Sequence, residues 1–209
     1  MSALPKRVVK VGGSLLEWNG LAAALEIWRK RQVHATGLHV TDVLIAGGGE
    51  FADAVRRADA AQGLGEEAAH WLCVDALSVT ARLLGAIAKL PVVTRREELP
   101  YNRPVVFDPA PFLSTSEPLL PPAPLPHTWA VTSDSIAARV AVCLEALELV
   151  LLKSSLPVAV DALGAAAEGY VDAYFPTIFP TTTSLGFKEV RCVNLRSWDF
   201  AEVVWNSYE

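Results

Sequence analysis

Lys10 sits inside an apolar run, Val8-Val9-Lys10-Val11, that breaks at once into Gly12-Gly13-Ser14. A lysine in a buried run is costly to hold without an anion to pair with. The glycines let a backbone come close to a ligand, and their N–H groups suit a phosphate. The stretch reads as a strand end that offers one positive charge and several donors to an anion. A strand with an edge lysine and an ordinary turn is the plainer alternative. The device then recurs. Val43-Leu44-Ile45-Ala46 runs into Gly47-Gly48-Gly49, and Glu50-Phe51-Ala52-Asp53 opens a helix. Three glycines in a row cost backbone entropy, which a turn approached by a substrate explains better than a purely structural one. The helix start behind them adds partial positive charge suited to phosphate. Leu149-Val150-Leu151-Leu152 ends in Lys153 much as the first run carries Lys10. Two lysines at strand ends of one sheet are hard to explain by packing alone. Thr132-Ser133-Asp134-Ser135 starts a further helix, and a Ser or Asp there could simply be its N-cap.

These residues need a scaffold that brings strand ends together. Strands are expected at 8–11, 43–46 and 149–152, mutually parallel, with shorter ones at 91–93, 105–107, 128–131 and 190–195. Helices are expected at 21–31, 51–61, 66–89, 136–146 and 198–205. Residues 100–126 hold nine of the chain's 14 prolines, so regular structure beyond one short strand is not expected there. Residues 117–126 should be extended, polyproline-like chain laid over the surface as a covering loop. Residues 161–183 fit no clear pattern. Alternating strands and helices imply a largely parallel sheet between helical layers, and ligands of such sheets bind at the C-terminal edge of the strands.

The 209 residues suit one domain, 1–209, with no linker or repeat. A net charge of −5 argues against sequence-independent nucleic-acid binding. Lys153 and Asp161 interrupt the longest apolar run, so no membrane segment is expected. Charges at Lys6 and Lys10 leave no signal-peptide core. Cys73, Cys143 and Cys192 are widely spaced and read as core residues of a reduced, cytoplasmic protein. No metal-ligand cluster stands out.

Lys10-Val11-Gly12-Gly13-Ser14, Ala46-Gly47-Gly48-Gly49-Glu50-Phe51, Ser133-Asp134-Ser135-Ile136-Ala137-Ala138 and Leu151-Leu152-Lys153 occur in the order seen in the amino acid kinase family, which this chain resembles from Val8 to about Ser154. The resemblance implies an αβα sandwich around a mainly parallel, roughly eight-stranded sheet. It also implies transfer of the γ-phosphoryl of ATP, with Mg2+, to a small-molecule acceptor that is a carboxylate, a carbamate or a phosphate such as a phosphomonoester, and a homo-oligomer. Carried over by position, Lys10 stabilises the transferring phosphoryl, and Gly12, Gly13, Ser14, Gly47, Gly48 and Gly49 bind phosphate or nucleotide. Asp134 orients the lysines or acts near magnesium, and Lys153 matches a strand-end lysine of the uridylate kinase branch. Gly49-Glu50-Phe51-Ala52-Asp53-Ala54-Val55-Arg56, Ala69-His70-Trp71 and Gly169-Tyr170-Val171-Asp172-Ala173-Tyr174-Phe175-Pro176 look most like a branch of short members. That branch acts on [5-(aminomethyl)furan-3-yl]methyl phosphate in methanofuran biosynthesis.

A phosphorylated acceptor needs its own cationic clamp, and arginine's planar fork matches phosphate oxygens. Arg56, behind the triple-glycine turn, is the candidate, with His70 on the next helix to assist. Arg57 reads as a solvated face, and a locally bonded helix residue is the alternative for His70. One segment departs from the family. The acidic, glycine-containing loop expected on the nucleotide side is Lys153-Ser154-Ser155-Leu156-Pro157-Val158-Ala159-Val160 here, and the family's later lysine has only Lys188 as a candidate. A non-catalytic nucleotide- or oxoanion-binding protein of the same fold is therefore the competing reading.

Overall fold

The computed structural model describes residues 4–36, 40–182 and 189–206; Lys188 lies outside them. A seven-stranded sheet runs in the order β3-β4-β2-β1-β5-β6-β7. Its strands are β1 (Lys6–Val11), β2 (Thr41–Ala46), β3 (Val92–Val93), β4 (Val105–Phe107), β5 (Glu148–Lys153), β6 (Glu189–Asn194) and β7 (Glu202–Asn206). All pairings are parallel except β6–β7. The central place of β1 follows from its side chains: Val8, Val9 and Val11 are fully buried, so both faces must be covered.

The helices are α1 (Leu21–Thr36), α2 (Gly49–Gln62), α3 (Glu66–Ala88), α4 (Pro109–Thr115), α5 (Ser133–Cys143), α6 (Ala162–Ala167) and α7 (Phe175–Thr182). Strand alternation sorts the core into two layers. Val9, Val11, Leu44, Val150 and Leu152 meet Trp28 of α1 and Ala81 and Leu84 of α3. Val8, Val43, Ile45, Leu149 and Leu151 meet Ile136, Ala137 and Val140 of α5 and Phe175 and Ile178 of α7. The sheet is thus sandwiched between helices, as the alternating pattern implied.

Three expectations fail. Within 100–126 the chain forms α4 and a 3-10 turn, Glu117–Leu119. Pro109 and Pro111 fall in the first turn of α4, where backbone N–H groups have no intrahelical partner and proline costs nothing. Asp108 caps that turn by accepting from Ala110 N at 3.1 Å. The rest of the segment is pinned as a covering loop by buried Arg139. Its guanidinium meets Glu117 Oε1 at 2.6 Å and donates to the carbonyls of Leu120 and Pro121 at 2.7 and 3.0 Å. Residues 128–131 form a turn instead of a strand, closed by Val131 N donating to Thr128 O at 3.2 Å. Residues 198–205 are not a helix. The chain turns at 197–200 and returns as β7, whose Trp205 is buried against Tyr170 and Phe175.

Among the described residues one helix, α3, is long and apolar enough to cross a membrane, contrary to the expectation that no segment would be. Asp75 and Arg82 obscure its length in the sequence. One face packs on the sheet through Val74, Leu77, Ala81 and Leu84, and the other leaves Leu72, Val79 and Leu83 exposed.

Candidate active site

Lys10 on β1 lies opposite Leu151 of β5, and Lys153 is two residues further along β5. Period-two alternation therefore sends both lysines to the same face, the one covered by α5. Asp134, in the first turn of α5, waits there. Lys10 Nζ is 2.8 Å from Asp134 Oδ1 and Lys153 Nζ is 3.0 Å from Oδ2. Lys10 meets Oδ1 as a close ion pair, and Lys153 donates a hydrogen bond to Oδ2. Lys153 also donates to the carbonyl of Tyr170. All three groups are largely withdrawn from solvent. Burial alone would raise the Asp134 carboxyl, but the two ammonium groups outweigh it and hold it below the usual carboxylate range. Burial, then the like charge of Lys10, pushes the Lys153 amine below the usual lysine range despite Asp134.

Asp134 is not the N-cap of α5. That role falls to the distant Asp172, which accepts from Thr132 N at 3.0 Å and Ser135 N at 2.9 Å. Both oxygens of Asp134 are thereby left to the lysines.

The glycine turns divide into two kinds. Gly12 N donates to Leu152 O and Gly47 N to Val11 O, each at 2.8 Å, so these two N–H groups extend the sheet and are not donors for a ligand. The expectation that both would bind phosphate through the backbone is corrected accordingly. Gly13, Ser14, Gly48 and Gly49 have N–H groups with no acceptor among the described residues. They stand at the starts of a 3-10 turn and of α2, where orphan donors and the helix dipole favour an anion. Gly13 and Gly49 must be glycine for a steric reason. A Cβ on Gly13 would lie 2.3 Å from Gly49 N, and Gly49 has φ +51°.

Two cavities open on this junction. One, of about 240 Å³, is lined by Lys10, Gly13, Ser14, Gly48, Gly49, Arg56, His70, Cys73, Trp129 and Asp134, among others. The second, of about 510 Å³, is lined by Lys10, Gly12, Gly13, Ser14, Lys153, Ser154, Ser155, Leu156, Val158, Glu168, Gly169 and Tyr170. Lys10, Gly13 and Ser14 are common to both. In the first cavity Arg56 Nη1 pairs with Asp53 Oδ1 at 2.5 Å, and its guanidinium lies 5.7 Å from the Trp129 ring centroid. His70 is buried, stacks on His127 at 5.3 Å, and has Nδ1 3.4 Å from Thr128 O. Burial lowers its pKa and so favours the neutral ring. Arg57 points to solvent, 3.8 Å from Glu50. In the second cavity Ser14 Oγ and Ser154 Oγ are 3.4 Å apart, and Glu168 is spent on Val158 N at 2.9 Å.

Trp129, His127, Ser154, Tyr170 and Asp172 were missed as site residues. Ser154 lies in the loop read as the nucleotide side, Tyr170 and Asp172 lie in the segment 169–176 that takes part in the likeness to the short branch, and His127 and Trp129 carry no such signal.

The donor set fits a polyphosphate: two ammonium groups and four unaccepted N–H groups face one junction. It does not form a protein cage for magnesium. Among the described residues no three His, Cys, Asp or Glu side chains cluster as metal ligands, and Asp134 is already engaged by both lysines. A magnesium ion here would be held chiefly by phosphate oxygens and water, as Mg2+ commonly is.

No family model matches the chain. Its fold matches that of Synechocystis aspartate kinase over 97% of this chain and 40% of that one, with TM-score 0.66 and 14% identity. It matches UMP kinase from Ureaplasma parvum over 98% and 100%, with TM-score 0.62 and 12% identity. It matches uridylate kinase from Archaeoglobus fulgidus over 97% and 91%, with TM-score 0.57 and 16% identity. A mostly parallel sheet in a helical sandwich, shared over nearly all of this chain with these three structures, gives the chain the fold of the amino acid kinase family. In sequence it is similar to the [5-(aminomethyl)furan-3-yl]methyl phosphate kinase of Methanocaldococcus jannaschii, 28% identical over 145 residues. The match spans 69% of this chain and 63% of that relative's length.

Proposed function

We propose that this chain is an ATP-dependent small-molecule kinase whose acceptor is a phosphomonoester. The observation that carries the reading is the common wall of the two cavities at Lys10, Gly13 and Ser14. A donor triphosphate in the larger cavity and an acceptor in the smaller one would meet there, at a positive charge and unaccepted N–H groups. Phosphoryl transfer asks for little more than positioning and neutralisation of charge. The acceptor oxygen attacks the γ-phosphorus as the bond to the β–γ bridging oxygen breaks. Lys10 neutralises charge on the transferring oxygens, Lys153 does so from the donor side, and Asp134 keeps the two ammonium groups in place. Magnesium would be held chiefly by the triphosphate's own oxygens and would supply further neutralisation of charge.

The M. jannaschii relative's name makes [5-(aminomethyl)furan-3-yl]methyl phosphate the first acceptor to try. Arg56 at the mouth of the smaller cavity is the clamp for its phosphate, steadied by Trp129. The test is ATP consumption by the purified protein over that compound, other small phosphomonoesters, amino acids and nucleoside monophosphates. Turnover with a phosphomonoester supports the reading. Saturable nucleotide binding without turnover on any acceptor overturns it in favour of a binding protein, a possibility raised by the unusual loop after Lys153. Arg56→Ala should raise the acceptor KM about tenfold, the cost of one charge-assisted contact, with little change in the KM for ATP. Equal weakening of both substrates, or of neither, removes Arg56 from the acceptor site.

A further inference from the structure

The segment 169–172 lies outside the four motifs that carry the strand-end chemistry, yet it touches both sides of the buried charge triad. Its Tyr170 carbonyl accepts from Lys153 Nζ, and the Tyr170 ring centroid lies 4.5 Å from that nitrogen. Two residues on, Asp172 spends both carboxylate oxygens on the start of α5. Oδ2 accepts from Thr132 N, Thr132 Oγ1 and Ser135 N at 3.0, 2.9 and 2.9 Å. Oδ1 accepts from Ser135 Oγ at 2.5 Å and from Phe175 N of α7 at 3.0 Å.

A helix start needs only a nearby side-chain acceptor, and Thr132 stands at the N-cap with a hydroxyl that could serve. Here that hydroxyl donates to Asp172 instead. The cap therefore comes from a residue 37 positions beyond Ser135, on the same short turn that holds Lys153. Asp134 lies between Thr132 and Ser135, the two residues so gripped.

We propose that Asp172 is a positioning residue for phosphoryl transfer. It fixes the helix end that carries Asp134, while the Tyr170 carbonyl on the same turn fixes Lys153. The spacing of the Lys–Asp–Lys triad is thus set by a clasp outside the motifs that supply it. The inference rests on the kinase reading for its effect on turnover, but its effect on anion binding does not. Displacements well under the length of a bond to the reacting group are enough to slow an aligned reaction.

The test compares Asp172→Ala with Asp108→Ala. Asp108 is another buried carboxylate that caps a helix, α4, and it lines neither cavity. Both variants should lower Tm. Only Asp172→Ala should lower kcat, by about thirtyfold, with the acceptor KM within about threefold of wild type. Calorimetry with inorganic tripolyphosphate should show affinity weakened about three- to tenfold in Asp172→Ala and unchanged in Asp108→Ala. Asp172→Asn should fall between, because an amide has one accepting oxygen where five donors converge. If Asp172→Ala fails to fold, Ser135→Ala removes one bond of the clasp and should still lower kcat about threefold. The inference is overturned if Asp172 variants that fold match Asp108→Ala in both kcat and tripolyphosphate affinity. If wild type turns over no acceptor, the kinase reading falls, and tripolyphosphate affinity alone decides the role of Asp172: equal affinity in the two variants overturns it.

Discussion

The two ends of the sheet each hold buried charge, and they are built to opposite ends. At the N-terminal edge Arg7 lies 2.7 Å from Asp42 and 3.2 Å from Glu148. Arg29 joins Asp42 at 2.8 Å, and Arg191 joins Glu148 and Glu202 at 3.4 and 2.6 Å. Three arginines meet three carboxylates, the signs alternate, and every group has a partner inside the protein. At the C-terminal edge two lysines share one carboxylate, and four backbone N–H groups beside them find no acceptor among the described residues. The first network is closed and neutral. The second carries one surplus positive charge and unfilled donors. Arginine's rigid fork suits the closed network, and lysine's compact, mobile charge suits one that must change partners. A buried ion network is thus no sign of a site by itself; an unbalanced one is.

The largest expected effect sets the two ends against each other. Arg7→Ala would leave Asp42 and Glu148 short of a partner in a buried setting, at a cost of about 3–5 kcal/mol of stability. The folded fraction should keep its kcat. Lys10→Ala should do the reverse: Lys153 still pairs Asp134, so Tm changes little, while kcat falls about a hundredfold, or about 3 kcal/mol in the barrier. Thermal unfolding and steady-state kinetics on the same two variants check this. Normal turnover in Lys10→Ala would make both networks structural and erase the contrast.

Asp134→Asn sharpens the contrast more gently. Because Asp172 caps α5, the helix start survives the change. The lysines lose the anion that competes with a ligand, so tripolyphosphate should bind about threefold more tightly while kcat falls about tenfold. Calorimetry that shows weaker binding would mean that Asp134 aids the anion directly and does not merely hold its partners.

The smallest effect is a pH dependence. The folded pKa of Asp134 lies below its unfolded value, so its stabilising contribution is present above the ordinary carboxylate range and is lost as pH falls through the folded value. Lys153 has the opposite sense. Its protonated form is disfavoured in the fold, a cost that disappears as pH rises from its lowered value to the ordinary lysine range. In that window tripolyphosphate affinity should fall as pH rises, and binding should take up a proton. Calorimetry in two buffers of different ionisation heat measures the uptake. Its persistence in Lys153→Met would assign the proton elsewhere.

The parts of this site that could be read from the sequence are those made by neighbours along the chain. Lys10 and its glycines, the triple-glycine turn with its helix, and Lys153 at a strand end are each one local strand–turn unit. Asp134 was visible as a polar residue at a helix start, but whether it capped the helix depended on Asp172, which no local pattern links to it. The spent N–H groups of Gly12 and Gly47 depended on how far the ladder with β5 and β1 extends, again a matter of distant partners. The misread elements fail for related reasons. The prolines of α4 are compatible with helix only because they fall in its first turn. Val203-Val204-Trp205 is too short to show a period, and its pairing with β6 decides the outcome.

The close meeting of Gly13 and Gly49 has a consequence for anyone wishing to change what the smaller cavity accepts. The turn after β1 and the start of α2 touch backbone to backbone, with no side chain between them to compress. Moving α2 outward to admit a bulkier compound would strip that contact and unseat the turn that follows Lys10's strand. Room must come from side chains that line the same cavity, His70, Cys73 and Trp129, none of which takes part in the Gly13–Gly49 contact. What the molecule could be engineered to recognise is carried by side chains, and what it needs in order to react rests on backbone.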